Sequence, residues 1–154
     1  MAKIKYRAID PDGTVHARSS ARVYTHTVVA RLDQAYARTL AKTEGFKASI
    51  KQYELHADYA SKGWTPAKWM RPEIADRHKQ EGFACGGQFI AKHGPDARAY
   101  AEKVYQAEVV RIDADTAYHN FGWCGRPDLA AKLADKYRSD PCYRDVTILQ
   151  AEGR

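Results

Sequence analysis

At 154 residues, with 44% hydrophobic and 29% charged side chains, the chain has the size and composition of one globular domain spanning 1–154. Such a chain buries roughly two-thirds of the surface its unfolded form exposes. No apolar run approaches the ~18 residues that a membrane span requires, so no membrane partner is expected.

Residues 3 to 9 alternate apolar with basic side chains, the two-residue period of a half-buried strand, with Ile4, Tyr6 and Ala8 on one face. Asp10-Pro11-Asp12-Gly13 follows as a turn, because proline presets one φ angle and glycine accepts a positive one. The return strand starts at Thr14. After Ser19-Ser20 it resumes through residues 22–29, which are rich in β-branched and aromatic types. An N-terminal hairpin is therefore expected.

From Asp33 the period becomes helical. Tyr36, Leu40, Phe46, Ile50, Tyr53, Ala57 and Ala60 form a stripe that Gly63 ends, and Gly45 marks either a kink or a break between two shorter helices. Pro66 and Pro72 sit where short helices can begin. The glycines at 82, 86 and 87, with Gly94-Pro95, then suggest an irregular region over 82–94. A helix resumes at Asp96, with Ala97, Tyr100, Ala101 and Val104 buried, and yields to a strand over 107–113. Residues 115–125 read as a loop. A helix from Pro127 buries Leu129, Ala130, Leu133 and Tyr137, and a last strand covers 145–150. This order predicts an α+β fold: one sheet of about four strands, beginning with the N-terminal hairpin and covered by helices.

Net charge is uneven. Residues 1–80 carry 15 Lys/Arg against 8 Asp/Glu, whereas 81–154 carry 10 against 11. This asymmetry points to a basic face suited to nucleic acid or to an acidic protein surface. The basic start, Met-Ala-Lys-Ile-Lys-Tyr-Arg, lacks the apolar block of a secretory signal, and three widely spaced cysteines make no disulfide framework. The expected setting is the reducing cytoplasm.

Catalytic signatures are sparse. Cys85, His93, His119 and Cys124 lack the paired two-to-four-residue spacing of structural zinc sites, and neither a Walker sequence nor a dinucleotide-binding glycine pattern occurs. No metal and no cofactor are expected. Gly86-Gly87-Gln88 resembles the catalytic loop of peptide-release factors, but without that family's preceding serine and proline or its basic tail, so it reads as a helix break. His26 in Tyr-Thr-His-Thr is a base by type, yet no second histidine completes the motif of the two-histidine phosphoesterases. The alternative to a binding protein is a small enzyme or nucleic-acid-binding protein that uses His/Cys-bearing loops at 82–94 and 115–125.

The stronger pattern mixes rings and cations between Lys47 and Lys79. Lys47, Lys51, Tyr59, Lys62, Trp64, Lys68, Trp69 and Arg71 are the expected binding residues, since this mixture suits base stacking with phosphate contact or a protein interface with aromatic anchors.

Residues 22–29, Arg-Val-Tyr-Thr-His-Thr-Val-Val, and 122–130, Gly-Trp-Cys-Gly-Arg-Pro-Asp-Leu-Ala, resemble segments of small accessory proteins encoded by bacteriophages and other mobile elements. The resemblance implies an accessory protein of the host cytoplasm that binds a host protein or nucleoprotein complex. The basic first half, the interleaved aromatics and the lack of a catalytic signature point to a non-enzymatic binding protein, with nucleic acid as a further partner. Inhibition of host defence, including anti-CRISPR activity, is the role the resemblance implies.

Overall fold

The computed structural model describes residues 3–61 and 68–154. The fold is α+β, but two three-stranded antiparallel sheets stand where the sequence pattern suggested one sheet of about four strands. The chain divides into two compact units: residues up to Arg38 with Arg111–Arg154, and Thr39–Val110.

In the first unit, β1 (Ile4–Ile9) and β2 (Val15–Ser20) form the expected hairpin. Its turn is closed from both sides. Gly13, at φ 85°, donates its N–H to the Asp10 carbonyl at 2.9 Å, while the Asp10 carboxylate accepts the N–H groups of Asp12 and Thr14, each at 2.9 Å. Alternation sends Tyr6 and Ala8 inward and leaves Lys5 and Ile9 outside.

After Ser20 the chain bends, and β3 (His26–Leu32) does not extend the hairpin. Residues 27–30, Thr-Val-Val-Ala, form a run without alternation, which needs cover on both faces and therefore suits a central strand. All four are fully buried. β3 lies between β4 (His119–Cys124) and β5 (Tyr143–Gln150). The 115–125 segment read as a loop is thus largely strand, because its backbone pairs with β3. The register slips between Val28 and Val29. α5 (Pro127–Arg138) covers this sheet, where Ala130 and Ala134 allow close approach to Val28 and Cys124. A two-residue strand, β6 (Glu152–Gly153), returns to pair with β1.

The helical stretch from Gln34 is continuous. α1 (Gln34–Leu40) passes into a π-helical turn (Ala41–Gly45) and then into α2 (Phe46–Ser61), so Gly45 marks a change of pitch rather than a break. α3 (Pro72–His93) starts with proline in its first turn and runs through all three glycines, which corrects the irregular reading of 82–94. Close packing accounts for this: in the second unit α3 lies against α2, with Gly86 at the contact.

α4 (Ala97–Ala114) overrides the strand expected over 107–113. The β-branched pair Val109-Val110 suggested a strand. In the helix, Val110 faces solvent at 70% exposure while Ile112 is buried, a helical rather than alternating pattern. The end of α4 is capped by the Gln34 side-chain amide, which donates to the carbonyls of Ile112 and Asp113 at 3.1 Å and of Asp115 at 3.2 Å. No helix among the described residues is long and apolar enough to cross a membrane.

Candidate binding surfaces

The second unit carries the sequence-predicted basic and aromatic residues. Lys47 and Lys51 are exposed on α2, one turn apart and therefore on one face. Lys47 bonds Glu44 at 3.2 Å. Lys68 and Trp69 lie in the turn that leads to α3, and Arg71 occupies the position just before its first residue. Trp69 is 82% exposed, the most open large hydrophobic side chain among the described residues. Lys62 and Trp64 lie outside the described residues.

Tyr59 differs from the rest. It is half-buried and turned toward α3, where a methyl group at Gly82 would stand 3.8 Å from its ring. With His78, Glu81 and Cys85 it lines a cavity of about 300 Å³. The Arg77 guanidinium bonds Glu81 at 2.9 Å and holds that carboxyl below its ordinary range.

Deeper in this unit the rings of Tyr53, His56, Phe89, His93 and Tyr100 form one cluster, with His56 stacked on Phe89 at 4.0 Å. The Tyr53 hydroxyl donates to the Gly94 carbonyl at 2.7 Å, and that of Tyr100 donates to Gln52 at 3.1 Å. His93 is thus a packing residue here.

The loop constellation proposed for catalysis is not a pair of loops. Cys85 and His93 lie two turns apart on α3, and His119 and Cys124 are at opposite ends of β4. His119 bonds Asp115 at 2.7 Å. Cys124 is buried beneath α5, and burial pushes its thiol above the usual range. His26 Nδ1 lies 2.8 Å from the Thr25 hydroxyl. Among the described residues, no group of three or more His, Cys, Asp or Glu side chains is arranged to hold a metal ion.

The first unit presents a groove that the sequence pattern did not reveal. Residues 16–18 of β2 form one wall and residues 120–123 of β4 the other, enclosing about 330 Å³. Both are outer strands of their sheets. The base of β2 is anchored by His16, whose Nε2 lies 3.0 Å from Asp10 Oδ2. Burial tends to raise the Asp10 carboxyl, but the His16 bond and the backbone N–H groups of Thr14 and Asp12 outweigh it and hold it low.

Across the groove, Asn120 donates to the Thr27 hydroxyl at 2.7 Å, and that hydroxyl donates to the Gly122 carbonyl at 2.7 Å. Trp123 packs on Tyr24, which in turn meets Tyr6 edge-on at 5.4 Å. The Arg18 guanidinium lies 5.0 Å above the Tyr24 ring. The short alternation of residues 15–18, Val-His-Ala-Arg, is the sequence signal that places His16 and Arg18 on one face. The partner wall was hidden because β4 reads locally as a loop.

The chain matches no protein-family model, and comparison with curated proteins and with solved structures gives no match either.

Proposed function

We propose that this is a non-enzymatic binding protein that engages a host protein or nucleoprotein complex through the basic, aromatic surface around Lys68, Trp69 and Arg71, with Lys47, Lys51, Tyr59, Lys62 and Trp64 contributing. The observation that carries the reading is Trp69, 82% exposed between two cations. Tryptophan and arginine are the residue types most enriched among interface anchors, and a large ring left in water is explained by a partner that covers it. The short resemblances at residues 22–29 and 122–130 support an accessory protein of a bacteriophage, working in the host cytoplasm against host defence.

The test is affinity capture from a host lysate with wild type, Trp69→Ala and Lys68→Glu, followed by titration of the purified partner at several salt concentrations. A protein partner anchored by Trp69 loses ~2–4 kcal/mol of affinity in Trp69→Ala, while Lys68→Glu mainly slows association. A nucleic-acid component instead makes log affinity fall with log salt by nearly one unit of slope per phosphate contact. Equal capture by all three folded proteins removes this surface from consideration.

A further inference from the structure

We infer that the groove between β2 and β4 binds an extended peptide bearing acidic side chains, which adds as a strand to the open edge of β2. The groove belongs to the first unit, whereas Trp69 belongs to the second.

The backbone argument comes from register. Asp10 donates its N–H to Thr14 O at 3.0 Å, and the same register pairs Ala8 with His16 and Tyr6 with Arg18. In an antiparallel ladder, hydrogen-bonded pairs alternate with non-bonded ones. His16 and Arg18 therefore direct their N–H and C=O groups toward β1. Val15, Ala17 and Ser19 direct theirs outward, where β2 has no neighbouring strand among the described residues. An open edge of this kind is the template for strand addition.

Side chains choose the occupant. The groove walls contain no carboxylate, and Arg18 projects there with no Asp or Glu in salt-bridge contact among the described residues. Lys3, Lys5 and Arg22 in the same N-terminal stretch also lack such a partner, whereas Arg7, Arg31 and Arg38 are paired with Glu152, Asp12 and Asp113. Within the hairpin stretch, Lys3, Lys5, Arg18 and Arg22 therefore leave positive charge beside the open edge. On the opposite wall, Asn120 and Trp123 line the groove, Trp123 packed on Tyr24, while the Phe121 ring turns to Tyr137 and Tyr143. An extended strand with acidic residues satisfies the outward backbone groups and the Arg18 cation, and its apolar side chains meet Trp123.

The probe is an eight-residue peptide alternating valine with glutamate, compared with one alternating valine with lysine. Binding is followed by amide chemical shifts in the full-length protein. The glutamate peptide is expected to shift Val15–Ser20 and residues 120–123 and to bind at least ~10-fold more tightly than the lysine peptide, because like charges at an interface are strongly disfavoured. Arg18→Glu should reverse that preference. Ala17→Pro removes one outward N–H without touching the ladder to β1 and should weaken the glutamate peptide by ~10-fold or more.

Absence of binding by wild type up to ~1 mM, equal binding of both peptides, or indifference to Arg18→Glu in a folded variant overturns the proposal. So does a self-associated wild type that Ala17→Pro converts to monomer, since the edge is then occupied by a second copy of the chain.

Discussion

Gly86 of α3 rests on the backbone of α2 at His56: a methyl group at Gly86 would stand 2.5 Å from the His56 carbonyl oxygen and 2.9 Å from the Ala60 amide nitrogen. Backbone atoms cannot rotate away as a side chain can, so the helices must separate to admit it. Its neighbour Gly87 has open space around the same position.

These adjacent glycines should therefore respond oppositely to alanine. Gly86→Ala is expected to destabilise the protein by ~1–3 kcal/mol through overpacking. Gly87→Ala should stabilise it by up to ~1 kcal/mol, since alanine has the better helix propensity and restricts the unfolded chain. Urea unfolding midpoints of the two variants against wild type check the pair. Equal shifts in one direction would refute the close approach at Gly86.

A second prediction concerns the turn of the hairpin and acid. The folded-state carboxyl of Asp10 is held below its ordinary value of 3.8, so its contribution is present above that value and is lost as pH falls through the lower folded one. Asp10→Asn cannot carry the charge and should lower stability near neutral pH. The difference between wild type and Asp10→Asn is expected to shrink as the medium is acidified below pH ~4. Thermal unfolding of both proteins between neutral pH and strong acid measures it, and a difference that stays constant throughout would show that the charge on Asp10 contributes nothing.

Thiol reactivity should sort by burial. Cys85 is exposed on α3, Cys124 is buried, and Cys142 is half-buried, its thiol pushed up by desolvation and by Asp140. Iodoacetamide at mildly alkaline pH is expected to modify Cys85 first, with Cys124 reacting only on unfolding, because the thiolate is the reactive form. Peptide mapping by mass spectrometry gives the order. Cys124→Ser should also cost ~1–3 kcal/mol, since it places a hydroxyl among Val28, Ala130 and Ala134.

Much of the first unit was legible from residue order. The alternation of residues 3 to 9, the Asp-Pro-Asp-Gly turn and the start of α5 at Pro127 each rest on contacts within a few positions of one another, and all appear as expected. The α5 stripe was read less well: Leu129 is 41% exposed and Ala134 fully buried, since the sheet beneath selects small residues for close approach. The expected binding residues were identifiable as a composition of rings and cations. Composition could not separate half-buried Tyr59 from open Trp69, because which way a helical side chain faces depends on the helix packed against it.

By itself, then, the sequence determined the α+β class, the hairpin with its turn, the basic bias of the N-terminal half and most helix starts, because these follow from periodicity, φ preferences and charge that act locally. Tertiary structure alone decided that β3 leaves the hairpin for a second sheet, that residues 107–113 stay helical, that three glycines lie within a helix, and that β2 and β4 face each other across a groove. Each of those outcomes is set by partners remote in the chain: a fully apolar strand takes whichever sheet covers both its faces, and a glycine helix holds where another helix comes close enough to need it.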